Sequence, residues 1–240
     1  MGRVGVVAVV VVSSLAAAAG STSAAAAPPT QHRPRSAWVV PGTAPLDGLG
    51  AFLFVNAPPA GPAQTSVLGY EYSMLFGFEN NSVGVMALGY KGNQKVAGFG
   101  LLPSNPLVAT VPFDWHFGRI YYLLTYRIAT DVWAAWVYDY SASRWTHIAS
   151  LTAPGIGRMR PTPTTGVEYS ATPTSVTNES TCAIYPRVDA FWYPPTGWRG
   201  SDMTTATLVS GDTVSAGECP GTVRTSDGWQ YYALGSAPAA

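Results

Sequence analysis

Apolar residues recur at alternate positions along most of this chain, and after the N-terminal leader no stretch carries a helical period. The pattern is densest from Phe113 to Leu151. Ile120 to Ile128 and Val132 to Tyr140 are rich in aromatic and β-branched side chains, and Ala129-Thr130-Asp131 between them suits a tight hairpin. Trp145 to Leu151 follows after Ser141-Ala142-Ser143-Arg144. Symmetric closure of the two turns sets Arg127 opposite Trp133, Leu124 opposite Trp136, Tyr122 opposite Tyr138 and Tyr140 opposite Trp145. Alternation then divides the strands into two faces. Ile120, Tyr122, Leu124, Tyr126, Ile128, Val132, Ala134, Trp136, Tyr138, Tyr140, Trp145, His147, Ala149 and Leu151 form a nearly all-apolar face, expected in the core. Tyr121, Leu123, Thr125, Arg127, Trp133, Ala135, Val137, Asp139, Thr146, Ile148 and Ser150 form a mixed face, expected at the surface.

The remaining pattern extends the same theme. Leu68, Tyr70, Tyr72, Met74, Phe76 and Phe78 fall on one side of a strand over Ser66 to Glu79, opposite Gly69, Glu71, Ser73, Gly77 and Glu79. Asn80-Asn81 turns this strand into Ser82 to Tyr90, and Lys91 to Lys95 turns the next into Val96 to Leu102, a β-meander. Trp38 to Val40, Ala51 to Ala57, Leu107 to Val111, Val167 to Ala171, Ala183 to Tyr193, Thr205 to Val209 and Trp229 to Leu234 are further strands. Ten or more short strands with frequent turns predict an all-β fold, a two-sheet antiparallel β-sandwich.

The ends of the chain add an address. Arg3 precedes an apolar run that is short for a bilayer and leads into Ala25-Ala26-Ala27, so residues 1–27 are expected to be a cleaved signal peptide. Residues 28–37, with three prolines, are expected to be an extended arm or linker, and residues 38–240 a single β-sandwich domain. The product is expected to be secreted, extracellular and free of the membrane after cleavage. Charged residues are only 11% of the chain, and loss of Arg3 leaves 12 of its 13 basic side chains against 13 acidic ones. That balance excludes nucleic acid, whose phosphates demand a basic field. Cys182 and Cys219 are the two cysteines, and in an exported chain they are expected to form a disulfide worth roughly 4 kcal/mol of loop closure.

Trp115-His-Phe-Gly-Arg-Ile-Tyr-Tyr-Leu-Leu, Val132-Trp-Ala-Ala-Trp-Val-Tyr-Asp and Arg144-Trp-Thr-His-Ile-Ala-Ser-Leu together resemble the central hairpins of concanavalin-like jelly-roll domains in secreted bacterial proteins. The resemblance implies a jelly-roll sandwich. Such domains include lectin-like modules and glycan-degrading enzymes, and they often hold a structural calcium, although no calcium loop is visible here and no cofactor is expected.

Glycoside hydrolysis needs two carboxyls about 5–9.5 Å apart. Glu71 and Glu79 share a strand face but are separated by roughly 25 Å of extended chain. Glu168, Glu179, Glu218, Asp114, Asp131, Asp139 and Asp189 could meet only across strands of unknown order, and the Glu-x-Asp-x-x-Glu signature of jelly-roll glucanases is absent. No Gly-x-Ser-x-Gly elbow is present, and His147 is expected as a core histidine. Binding has more support, because eight tryptophans and thirteen tyrosines exceed what one core hides. Tyr121 and Trp133 with Arg127 and Asp139 are one candidate surface, and Trp192 and Trp198 in the aromatic run from Phe191 are another. The expectation is a non-catalytic binder of glycan or of an extracellular protein. A jelly-roll glycoside hydrolase or lyase, and an adaptor or structural subunit, are the alternatives.

Overall fold

The computed structural model describes residues 33–57, 68–91, 94–102, 106–171, 188–214, 221–226 and 228–234. The signal peptide, the start of the arm, Cys182 and Cys219 lie outside them. Among the described residues sixteen strands run β1 (Arg33–Val39), β2 (Gly48–Ala57), β3 (Leu68–Gly77), β4 (Val83–Lys91), β5 (Gln94–Leu102), β6 (Leu107–Pro112), β7 (Arg119–Ala129), β8 (Val132–Asp139), β9 (Arg144–Thr152), β10 (Thr164–Ala171), β11 (Val188–Trp192), β12 (Thr196–Arg199), β13 (Asp202–Thr205), β14 (Thr207–Val214), β15 (Gly221–Ser226) and β16 (Trp229–Leu234). They form two antiparallel sheets, an all-β sandwich. One has the order β14-β1-β10-β3-β4-β5-β6, the other β15-β16-β11-β2-β7-β8-β9 with β12 and β13 attached through β2. No helix among the described residues is long and apolar enough to cross a membrane.

The β3–β4–β5 meander forms as its turn residues dictate. Asn80 Oδ1 accepts from Ser82 N at 2.9 Å, and Asn81 takes the left-handed φ of 69° that such a turn requires. Tyr72, Met74, Phe76 and Phe78 all point into the core, as alternation predicts. Arg33 to Ala37, expected in the arm, are extended but sit inside a sheet, paired with β14 on one side and, from Arg35, with β10 on the other.

The β7–β8 hairpin has the predicted register, with Arg127 opposite Trp133, Leu124 opposite Trp136 and Tyr122 opposite Tyr138. On the far side of β8 the turn has the expected four residues but sits one position earlier in the chain, so Trp145 faces Tyr138 instead of Tyr140. On β7 and β8 the two faces are the reverse of the expectation, whereas Ala149 and Leu151 on β9 pack against the core as expected. Tyr121, Leu123, Thr125, Trp133, Ala135 and Val137 are fully buried between the sheets, while Tyr140 and Trp145 are 47% and 48% exposed.

Layer thickness explains the inversion. Stacked sheets lie about 10 Å apart, and the first sheet already fills that layer with Tyr72, Phe76, Phe78, Met86 and Phe99. The facing strands answer with two large rings, Tyr121 and Trp133, set among small or slim groups such as Ala51, Thr125, Ala135 and Val137. The row of large rings on the other side of β7 and β8 would not fit. Two polar members of the buried face find partners where they stand: Thr125 Oγ1 donates to Met86 Sδ at 3.5 Å, and Tyr121 Oη accepts from His116 N at 2.7 Å, whereas Trp133 Nε1 has none.

Candidate functional site

Outside the core, the second sheet presents a continuous aromatic surface. Phe52 on β2 lies 4.6 Å from Tyr122 on β7 and 5.6 Å from Tyr140, centroid to centroid. Tyr138 on β8 lies 4.8 Å from Tyr140 and 5.0 Å from Trp145 on β9. Tyr193 links Phe52, at 6.3 Å, to Trp229 at 5.2 Å, and Trp198 joins Tyr122 at 6.4 Å. Ring contacts thus span six neighbouring strands, from β16 to β9, with Tyr193 just past the end of β11. The most accessible of these rings are Tyr140, Trp145 and Tyr193.

Two glycines lay part of this surface flat. Gly48 pairs with Tyr126 and Gly50 with Tyr122 across β2 and β7. A Cβ at Gly48 would meet the Tyr126 ring at 2.3 Å, and one at Gly50 would meet the Tyr122 hydroxyl at 2.4 Å. Both rings therefore lie over bare backbone, presenting a flat face instead of standing edge-on. Burial among neighbouring rings, with the Tyr140 hydroxyl nearby, pushes the Tyr122 phenol well above its ordinary value; burial beside Tyr138 raises Tyr140 too. Both are neutral hydroxyls at any physiological pH.

A β-bulge shapes the outer edge. The β8–β9 pairing slips between Ala135 and Trp136, where Ala149 and His147 are the successive partners. The extra residue, Ile148, is buried, and the alternation of β9 changes phase there. Ala149 and Leu151 pack against the core, whereas His147 and Ser150 both stand outward, Nε2 to Oγ 3.0 Å. His147 is exposed beside Trp136 at 5.5 Å and is not the core histidine expected from strict alternation.

The predicted site residues separate accordingly. Tyr121 and Trp133 are fully buried and Asp139 is 9% exposed, so they offer no surface to a ligand. Asp139 instead ties the β8–β9 turn, accepting from Ser141 N at 2.8 Å and Ala142 N at 3.1 Å, with Arg119 at 3.4 Å. Arg127 belongs to a cluster around Asp47, whose carboxylate also takes Arg158 and the amide of Gly200. Trp192 is buried and donates Nε1 to Gly166 O at 3.2 Å. Only Trp198 reaches the aromatic surface.

The other sheet holds a second constellation. Glu168 on β10 stands directly opposite Glu71 on β3, and its Oε2 is 2.6 Å from Arg35 Nη2 on β1. Glu168 is 5% exposed although its neighbours Thr165 and Val167 take the core side of the strand. Strand order alone brings these carboxyls together. A third contact, His116 Nε2 to Asp114 Oδ2 at 3.1 Å, lies at the start of β7. Among the described residues no three His, Cys, Asp or Glu side chains gather as metal ligands would.

No family model matches the sequence and no curated protein resembles it. Among solved structures, the chain is similar to scytalido-glutamic peptidase with a peptide-based transition-state analog, at TM-score 0.51 and 11% identity over 85% of this chain and 98% of that one. A second structure of that peptidase, with a transition-state analog inhibitor, gives TM-score 0.51 and 9% identity over 87% and 100%. The carbohydrate-binding module CBM66 from Bacillus subtilis gives TM-score 0.35 and 9% identity over 57% of this chain and 80% of that one. At such identities the likeness is one of fold, an antiparallel sandwich of the jelly-roll kind, and it passes no residue or activity to this chain.

Proposed function

We propose that this protein is a secreted, non-catalytic binding module for an uncharged glycan, held on the aromatic outer face of β2, β7, β8 and β9. The observation that carries this is the unbroken run of rings from Tyr193 through Phe52, Tyr122 and Tyr138 to Trp145. Sugar rings present flat C–H faces that pack on aromatic planes, and tyrosine and tryptophan add a polar tip at each ring. Large contiguous apolar surfaces on soluble sandwiches mark interaction sites. Phe52, Tyr122, Tyr138, Tyr140, Trp145 and Ser150 bring no formal charge, matching a neutral polymer better than a charged one.

The test is retention in affinity gels containing xylan, galactomannan or β-1,3-glucan. Trp145→Ala and Tyr140→Ala should each lose about two- to tenfold in affinity for a retaining polysaccharide, the scale of about 0.5–1.5 kcal/mol per aromatic contact. Equal migration of both variants and the parent in a gel that retards the parent refutes the assignment of the face.

A second reading rests on Glu71 and Glu168. Cβ atoms of directly opposed residues on antiparallel strands lie about 4.5–5.5 Å apart, close enough for an acid–base carboxyl pair in a hydrolase. The glycan-hydrolase form predicts reducing ends from those same polysaccharides, and a peptide-hydrolase form predicts new amino termini from an unfolded protein substrate. Either product, lost in Glu168→Gln, would establish it in place of the non-catalytic reading.

A further inference from the structure

We infer that His147 and Ser150 form a polar subsite at the edge of the aromatic face, where they read vicinal hydroxyls of the bound sugar and set which glycan is taken. The inference rests on the glycan reading above. On a regular strand, residues three apart point to opposite sides. Here the extra residue of the bulge turns both side chains to one side, 3.0 Å apart and beside Trp136. Bulges re-aim side chains in this way near functional sites.

The chemistry suits a diol. An imidazole nitrogen and a hydroxyl that share one hydrogen bond keep further capacity: the serine oxygen retains a free lone pair, and the second ring nitrogen of the histidine donates or accepts according to tautomer. A donor and an acceptor held this close match neighbouring sugar hydroxyls, each of which can give and take. Stacking alone grips any sugar with an open apolar face. Placing a polar pair beside the stacking rings adds a requirement for hydroxyl orientation, because an epimer leaves the pair unmatched.

His147→Ala, Ser150→Ala and Trp145→Ala are compared with the parent by affinity gel electrophoresis in xylan, galactomannan and β-1,3-glucan, and all are melted thermally. Both polar residues lie on the exposed side of an edge strand, so their loss should leave the thermal midpoint within about 2 °C. Each should weaken binding to the preferred polysaccharide about three- to tenfold, the scale of one hydrogen bond, and should narrow the difference between preferred and poorer polysaccharides. Trp145→Ala should weaken all of them alike. Parent-like affinity and preference in His147→Ala and Ser150→Ala, with Trp145→Ala impaired, overturns this inference and leaves the glycan reading standing. A parent protein retained by none of the three polysaccharides refutes both.

Discussion

Replacing Trp133 by alanine tests the assignment of inside and outside most sharply, because regular alternation and relative hydrophobicity put this ring at the surface. In the structure it is fully buried and edge-packed on Phe78 at 5.1 Å. Truncating a buried tryptophan costs about 3–5 kcal/mol, the sum of lost transfer energy and an unfilled cavity. One compensation exists: Trp133 Nε1 is buried without a hydrogen-bond partner, and removing an orphaned donor returns about 1–3 kcal/mol. The net cost of Trp133→Ala is therefore about 0–4 kcal/mol, centred on about 2 kcal/mol. Trp133→Phe removes the same orphan while keeping most of the packing, and should cost about 0–1 kcal/mol. With a urea m-value of about 2 kcal/mol/M, the alanine variant should unfold roughly 1 M earlier, and the phenylalanine variant near the parent midpoint. Trp145→Ala is the control, within about 1 kcal/mol of the parent, since its ring is 48% exposed. If Trp133→Ala matched Trp145→Ala in its urea midpoint, the buried face of β7 and β8 would be misassigned.

Three further outcomes are expected. Partial burial pushes the Asp47 carboxyl up, but the Gly200 amide and the Arg158 and Arg127 guanidiniums outweigh this and hold it below its ordinary value. Its stabilisation is thus complete above the unfolded carboxylate pKa of about 3.9 and fades as pH falls through the lower folded value. Asp47→Asn should cost about 1–3 kcal/mol in urea at pH 7, and the gap to the parent should close below about pH 3; a constant gap refutes the sign. Gly50→Ala should dislodge the Tyr122 ring, lowering the thermal midpoint by a few degrees and weakening polysaccharide retention, because its Cβ would sit 2.6 Å from Tyr122 Cζ and 3.0 Å from Leu123 O. Ser141 and Ala142 amides lean on one carboxylate oxygen, so Asp139→Ala should speed hydrogen exchange at both, with little effect on glycan binding.

Local order was well written in the sequence. The β7–β8 register followed from turn length and side-chain type, and the core side of β3 from alternation, because both depend only on neighbours in the chain. Which side of β7 faces inward depends instead on what the opposite sheet brings. Tyr122 and Tyr138 looked like core, yet the space against Phe76, Phe78, Met86 and Phe99 is filled by Tyr121 and Trp133 with Thr125, Ala135 and Val137 between them. His147 and Ser150 share a face through a single-residue bulge that strict period-two counting passes over. Glu71 and Glu168 lie far apart in sequence, and only the adjacency of β3 and β10 makes them a pair. Arg33 to Ala37 come from a proline-rich stretch that reads as a linker, and Pro34 lies among them, but they gain strand partners in β14 and β10.

The surface that meets ligand is best located by hydroxyl-radical footprinting with and without a polysaccharide that retards the protein. Protection should concentrate on Tyr138, Tyr140, Trp145 and Tyr193, with Trp133 and Tyr121 unreactive in both states. Protection centred on Glu71 and the outer side of the other sheet, with Tyr140 and Trp145 as reactive as in the free protein, would contradict the account.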